Sequence, residues 1–372
     1  MKDLKIKTVL KEYSVKFVND FTFVDNFLKL PYYKVVVGEN VYKIYKKKIF
    51  DKFPKDKLII IKFDEERKTL ETAALIYEKF LDLEGKKNAT LISFGGGINQ
   101  DVTGFVASTL YRGINWILVS TTLLGMADSS IGLKTSLNFK SYKNVLGSFY
   151  PPSEIYINVN FLDSLPNEYY WSGVGEIVKF YLMRKNPLKT LKDSVRKINI
   201  LSQRKNKNKI TKIIKESLKI KLDYMLGDEF DQGKRNLLNY GHELGHALES
   251  CSNFDIPHGI AVIIGIIFAN LAALNRRLIT RKTFDYLNSQ LLFPCILNSR
   301  IKLRKVFFAY DFILGKYKKD KKRVSYNLPL VYPAKNFSLT KTTDFSVDEF
   351  KNNYREFISL ISPYLIWFTS FL

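Results

Sequence analysis

The chain has 372 residues, more than a single hydrophobic core fills comfortably, so two domains are expected. Hydrophobic residues make up 46% and charged residues 26%, which excludes an intrinsically disordered chain. The net charge of +23 comes from lysines spread along the chain, with dense stretches at 42–57 and 196–209; it reads as a solvated surface that also suits phosphorylated substrates. No nucleic-acid-binding module accompanies these lysines, so no nucleic-acid partner is expected.

The amphiphilic N-terminus, MKDLKIKTVLKEY, lacks the apolar stretch of a signal peptide. Short β-branched runs then follow: KVVVG (34–38), KLIIIKF (57–63), ATLISF (89–94), NWILVS (115–120) and IYINV (155–159). Helical spacing at 69–83 and 100–111 separates several of them, which predicts a parallel, doubly wound α/β domain with a binding site at its strand ends. Beyond about residue 165 the strand signal gives way to helical spacing, as at 209–225 and 259–274. The pattern therefore changes near 160–165, with no linker between two domains expected to share a cleft. Cys251 and Cys295 lie far apart with no CxxC partner, which points to a reducing, cytoplasmic compartment. The run 357–372 is the most apolar, but it is short for a membrane span and contains Pro363. It is expected to be a docked terminal helix, with no stable membrane association.

All three histidines, His242, His246 and His258, fall within seventeen residues, and a metal site is the economical explanation. HELGH at 242–246 matches the HExxH pattern in which Glu243 would serve a metalloprotease as general base, although the extended metzincin pattern fails at Ser252. In RNLLNYGHELGHALE (235–249), Arg235, Asn239, His242 and His246 stand at spacings of four, three and four, as if on one helical stripe. Upstream, SFGGGINQDVTGF (93–105) follows a strand and opens a helix, where glycines let a pyrophosphate approach free backbone N–H groups. In SGVGEIVKF (172–180), Glu176 and Lys179 stand i, i+3 on one helix face.

Taken in order with VSTTLLGMADSSIGLKT (119–135) and YKNVLGSFYPP (142–152), these segments resemble the dehydroquinate synthase family of sugar phosphate cyclases, from about residue 35 to 330. The resemblance implies an α/β NAD-binding domain over 1–163, a helical zinc- and substrate-binding domain over 164–372, an active site between them and a homodimer. It implies a zinc ion held by Glu176, His242 and His258, with cobalt fitting the same N/O donors. His246 would then serve the substrate phosphate or a proton transfer, whereas in the zincin reading it would be a ligand. The NAD site would draw on Glu65 and Lys68, on Gly95, Gly96 and Gly97 with Asp101, on Thr121 and Thr122, and on Lys143. Asp128 and Lys134 would serve both cofactor and substrate. The substrate would further meet Asn144, Lys179, Lys221, Arg235, Asn239 and either Lys321 or Lys322. Arg112 would reach the phosphate of the neighbouring subunit.

The implied reaction converts 3-deoxy-D-arabino-heptulosonate 7-phosphate into 3-dehydroquinate and phosphate, on the shikimate route to aromatic amino acids. Three positions depart from the family: Ser120 stands where proline is usual, Leu133 where glycine is usual, and Gly38 where aspartate is common. Leu133 and the FYPP segment resemble 2-deoxy-scyllo-inosose synthases, while the Arg235 and Asn239 pair suits a carboxylated substrate. The alternatives are a related cyclase acting on a neutral sugar phosphate such as sedoheptulose 7-phosphate, the zinc protease, and a basic nucleic-acid-binding protein.

Overall fold

The structure is a computed structural model that describes residues 3–82, 86–140, 142–318 and 327–366. Lys321 and Lys322 lie outside the described residues. The chain divides into two units, Met1–Leu165 and Pro166–Leu372.

In the first unit the strands are β1 (Leu4–Lys7), β2 (Glu12–Phe17), β3 (Tyr33–Gly38), β4 (Leu58–Ile61), β5 (Thr90–Gly95), β6 (Asn115–Ser120), β7 (Lys134–Phe139), β8 (Tyr142–Phe149) and β9 (Glu154–Ile157). Its α-helices are α1 (Glu39–Tyr45), α2 (Leu70–Leu81), α3 (Gly97–Thr109) and α4 (Leu123–Ala127). Seven strands form one sheet in the order β1-β2-β9-β6-β5-β3-β4, parallel except for β1 against β2. Val35, Val36, Val37, Leu91, Ile92, Leu118 and Val119 are fully buried, as unbroken apolar runs must be where both faces of a parallel sheet are covered.

The chain runs from β3 outward to β4, then returns to place β5 on the other side of β3, so the winding reverses between β3 and β5. Carboxyl ends of strands at such a reversal form the crevice where open α/β sheets take ligands, and the Gly95–Gly97 turn sits there. Two pairings go beyond the runs of the sequence reading. The edge pair β1–β2 is short and alternates, with β2 burying Tyr13, Val15 and Phe17 on one face; β7 and β8 form a separate antiparallel hairpin.

The second unit contains α5 (Asn167–Leu182), α6 (Leu191–Gln203), α7 (Lys207–Met225), α8 (His242–Cys251), α9 (His258–Asn275), α10 (Arg281–Leu287), α11 (Phe293–Ser299), α12 (Tyr310–Lys318) and α13 (Val347–Ile361). Among the described residues, four short strands interrupt the helices: β10 (Leu303–Arg304), β11 (Leu328–Pro333), β12 (Leu339–Phe345) and β13 (Leu365–Ile366). By length and composition α9 could cross a membrane, yet α5, α8, α11, α13 and β11 pack around it, and it forms the core of this unit.

Two expectations are corrected. The segment 235–249 is not one helix: Lys234–Asn239 is a 3-10 turn, Gly241 takes φ +77°, and α8 starts only at His242. The four-three-four spacing cannot see this, because a turn followed by a helix keeps nearly the same polar rhythm. Over its described residues, 357–366, the C-terminal apolar run is not one helix either. Helix α13 ends at Ile361, a 3-10 turn at Ser362–Tyr364 follows, and Leu365 pairs with Leu303. Pro363 accounts for the stop, since its ring and missing N–H cannot continue the helix.

Candidate functional site

The second unit brings Glu176 of α5, His242 of α8 and His258 of α9 together, and one ligand atom from each lies within 4.8 Å of the others. Each of these residues is next in sequence to a glycine at a helix crossing. A side chain on Gly259 would fall on the carbonyl oxygen of Ser172, one on Gly175 on the carbonyl of Gly259, and one on Gly241 on the carbonyl of Val262. These clashes are with backbone atoms, so α5 and α9 meet backbone to backbone, and the Gly259 N–H donates to Ser172 Oγ at 2.9 Å across the contact. Only residues without a Cβ permit such approach, and the approach is what lets the three side chains converge.

The carboxylate of Glu176 is completely buried, and among the described residues none donates a well-directed hydrogen bond to either of its oxygens. Its Oε2 lies 2.5 Å from Lys179 Nζ, while Oε1 faces His258 Nε2 at 3.4 Å and His242 Nε2 at 3.7 Å. A buried carboxylate with unmet acceptor capacity facing two imidazole nitrogens is the donor set of a zinc-like cation. Burial pushes the Glu176 carboxyl up, but the Lys179 ammonium and His258 outweigh it and hold it below the usual carboxylate range. Burial and the charge of Lys179 keep His242 neutral well below the usual imidazole range, the state in which Nε2 can ligate. For His258, burial works against the charge, and the Glu249 and Glu176 carboxylates raise its pKa in spite of it.

His246 is exposed on α8, its ring centre 5.3 Å from that of His242 and 5.9 Å from that of His258. The convergent set that contains His242 takes Glu176 and His258 as its partners and leaves His246 out, unlike a zincin pair. Two further cations are buried nearby in sequence. Lys221 lies on α7, which packs against the 234–239 turn; Arg235 in that turn donates to the Glu229 carbonyl, and its N–H donates to Asp228 Oδ2 at 2.8 Å. Asn239 donates to the Asn236 carbonyl at 2.7 Å, and Lys179 also donates to the Leu238 carbonyl at 3.2 Å.

In the first unit a second polar cluster forms beside the glycine turn. Lys68 Nζ lies 2.5 Å from both Asp101 Oδ2 and Asn144 Oδ1, and Lys143 lies 3.5 Å from Glu65 Oε1. Ser136 donates to Asn144 at 2.9 Å and to Asp101 at 3.3 Å, while Asn138 donates to Glu65 Oε1 at 3.0 Å. Lys134, Ser136 and Asn138 alternate on one face of β7, and Thr135 and Leu137 are buried on the other. Thr121, at the end of β6, donates its N–H to the Gly95 carbonyl at 3.0 Å, and Thr122 caps α4 through Gly125 N at 3.1 Å. A side chain on Gly96 would meet Thr122, whereas one on Gly97 would find nothing closer than Ser129 Oγ at 3.9 Å. The start of α3 is therefore accessible to a ligand phosphate. Asp128 ends α4, next to these residues in sequence.

The structure thus gathers Glu65, Lys68, Asp101, Lys143 and Asn144 in one cluster, and Glu176, Lys179, His242, His246 and His258 in another. It does not bring Arg112 to the glycine turn of its own chain. Arg112 is exposed past the far end of α3, a 13-residue helix that spans about 20 Å, in a left-handed run with Tyr111 and Gly113. The sequence reading missed Ser136 and Asn138, whose signal was the alternation KTSLNF, and Glu249, which lies 3.2 Å from His258 Nδ1. Leu133 is buried with φ +60°, a backbone state that costs a leucine about 1–2 kcal/mol and a glycine almost nothing.

Residues 58–172 match the family profile described as 3-dehydroquinate synthase N-terminal, and residues 173–323 match its C-terminal counterpart. A 3-dehydroquinate synthase of Campylobacter fetus subsp. fetus (strain 82-40) is 34% identical over 336 residues, covering 88% of this chain and 92% of that one. Among solved structures, the 2-epi-5-epi-valiolone synthase ValA of Streptomyces hygroscopicus subsp. jinggangensis 5008, with NAD+ and Zn2+ bound, superposes with a TM-score of 0.79 at 22% identity, covering 95% of this chain and 99% of that one. A 2-deoxy-scyllo-inosose synthase complexed with carbaglucose-6-phosphate, NAD+ and Co2+ gives 0.77 at 21% identity, covering 95% of this chain and all of that one. At such identities these two structures establish the shared fold, while the profiles and the Campylobacter relative establish descent: the chain belongs to the 3-dehydroquinate synthase family.

Proposed function

We propose that this protein is a carbon–oxygen lyase that converts 3-deoxy-D-arabino-heptulosonate 7-phosphate into 3-dehydroquinate and phosphate, using NAD and a zinc ion. The observation that carries the reading is the buried Glu176 carboxylate facing His242 and His258, in a chain 34% identical to a 3-dehydroquinate synthase over nearly its whole length. Cobalt suits the same donors.

When bound, the metal would polarise a substrate hydroxyl and the nicotinamide would take up and later return a hydride, so that NAD is regenerated in each turnover. The residues of the chain supply the rest. Glu176, His242 and His258 would hold the cation. Lys179, fixed against Glu176 and the Leu238 carbonyl, would present positive charge to the substrate at a set position. Arg235 offers a guanidinium for the substrate carboxylate, with the Asn239 amide beside it in sequence and Lys221 on the adjoining helix. His246 is exposed, which suits a group that exchanges protons with substrate or water.

In the first unit, the accessible N–H groups at the start of α3 suit the pyrophosphate, with Thr121 and Thr122 alongside. The cluster of Glu65, Lys68, Asp101 and Lys143 suits the remainder of the dinucleotide. Lys134, Asn144 and Asp128 would reach toward the substrate. Arg112 supports a homodimer, since it lies far from the glycine turn of its own chain and is exposed. The free cysteines Cys251 and Cys295 suit a cytoplasmic location.

A second reading rests on Leu133. Its backbone is strained next to Lys134, and a leucine before that lysine resembles the 2-deoxy-scyllo-inosose synthases, which act on a neutral sugar phosphate. The deciding experiment incubates zinc-loaded protein with 3-deoxy-D-arabino-heptulosonate 7-phosphate, with and without NAD, and follows phosphate release and the cyclised product. NAD-dependent formation of 3-dehydroquinate is expected. Turnover of sedoheptulose 7-phosphate or glucose 6-phosphate in its place would establish the second reading.

A further inference from the structure

The two histidines facing Glu176 are oriented from behind in different ways. His242 Nδ1 lies 3.2 Å from the backbone carbonyl of Tyr240, and His258 Nδ1 lies 3.2 Å from Glu249 Oε2. A carbonyl and a carboxylate can only accept, so each Nδ1 carries its proton, which leaves Nε2, on the Glu176 side, as the nitrogen that can offer a lone pair to a bound cation. His258 needs such a tether more than His242. It is the first residue of α9, follows Pro257, and its side chain keeps 29% of its exposure, against 12% for His242.

Charge points the same way. Glu176 already faces Lys179 at 2.5 Å, and Lys221 and Arg235 are buried in the same unit. A dication added there would be poorly compensated by Glu176 alone. Glu249 supplies a second negative charge, on the side of the His258 ring away from Glu176, with only 12% of its own side chain exposed.

On the metal-dependent reading above, we infer that Glu249 is a positioning residue of the metal site: it holds His258 in the ligating tautomer and orientation and raises the basicity of Nε2. It lies seven residues after His242 on α8, so the helix that contributes one ligand also orients another. Carboxylates that accept the far N–H of a metal-binding histidine typically alter metal affinity by roughly 10- to 100-fold. The competing role for Glu249 is direct ligation, since its carboxylate, His246 and His258 also place ligand atoms within 4.8 Å of one another.

The test compares full-length wild type, Glu249→Ala and Glu249→Gln. Zn2+ affinity and stoichiometry are read by competition with a chromophoric chelator, and ligand geometry by the visible absorption of the Co2+ forms. Wild type should bind one ion. Glu249→Ala should still bind one ion but roughly 10- to 100-fold more weakly, with an altered Co2+ spectrum. In Glu249→Gln the amide oxygen still accepts the Nδ1 proton, so this variant should recover the spectrum and part of the affinity; being nearly isosteric, it also carries the test should Glu249→Ala fail to fold. Unchanged affinity and spectrum in both variants would overturn the inference and leave the proposed function standing. Two ions in wild type and one in Glu249→Ala would make Glu249 a ligand and overturn it as well. A wild type that binds no ion would remove the proposed function, and the inference with it.

Discussion

In the α/β unit a strand assembles the polar cluster, whereas in the helical unit helix crossings do. Ser136 and Asn138 reach Asp101, Asn144 and Glu65 because β7 alternates, and the neighbouring backbone has only to remain extended. Glu176, His242 and His258 converge only because Gly175, Gly241 and Gly259 let three backbones close on one another. The first kind of cluster tolerates small adjustments. The second is as exacting as the core it is built into, because interiors packed to crystal density pass a displacement on to their neighbours.

The comparison breaks most sharply at Glu176. Glu176→Gln should abolish tight metal binding and leave Lys179 buried without its counter-charge, a loss of about 3–5 kcal/mol by chemical denaturation of the metal-free protein. Its pH dependence has a definite sign. The Glu176 carboxyl is held below its usual value of 4.5, so its contribution is complete above that value and is lost as the pH falls below it. The metal-free variant should therefore show a flatter acid limb in a plot of Tm against pH, and an unchanged limb would refute the pairing with Lys179.

Gly259→Ala comes next. The added methyl meets the Ser172 carbonyl, which is backbone and cannot rotate away, so about 1–3 kcal/mol of stability and most of the Zn2+ affinity should be lost together. If the affinity survived that loss of stability, the helix crossing would not be what aligns the ligands. Ser136→Ala should have the smallest effect, about 0.5–1.5 kcal/mol, with weakened NAD+ binding in a calorimetric titration and unchanged Zn2+ affinity. Weaker Zn2+ binding in this variant would contradict the assignment of the two clusters to separate ligands.

Much of this was legible from the residues. NWILVS at 115–120 is β6 to the residue, and the helical runs at 209–225 and 259–274 lie within α7 and α9. Composition and period suffice there because the segments are buried on one face or on all sides. The clustering of the three histidines was visible in their spacing, and Glu176 joined two of them only through the family resemblance. The break at Gly241 was not, since a residue spacing carries no record of φ. Glu249 escaped because HELGH ends three residues earlier, although it continues the stripe of His242 and His246 along α8. Ser136 escaped because it reads as one more small polar residue in a strand until β7 is paired with β8.

Helix α9 is at once the central apolar element of its unit and the element that starts with His258. Folding of the unit and capture of the ion are consequently one equilibrium seen from two sides. Free metal should raise the midpoint of unfolding in proportion to the logarithm of its concentration, and a cavity cut into α9 far from His258 should surface as a weaker hold on the ion. A cell short of zinc would then hold this protein in a form that is less stable as well as inactive, and its abundance should fall along with its activity.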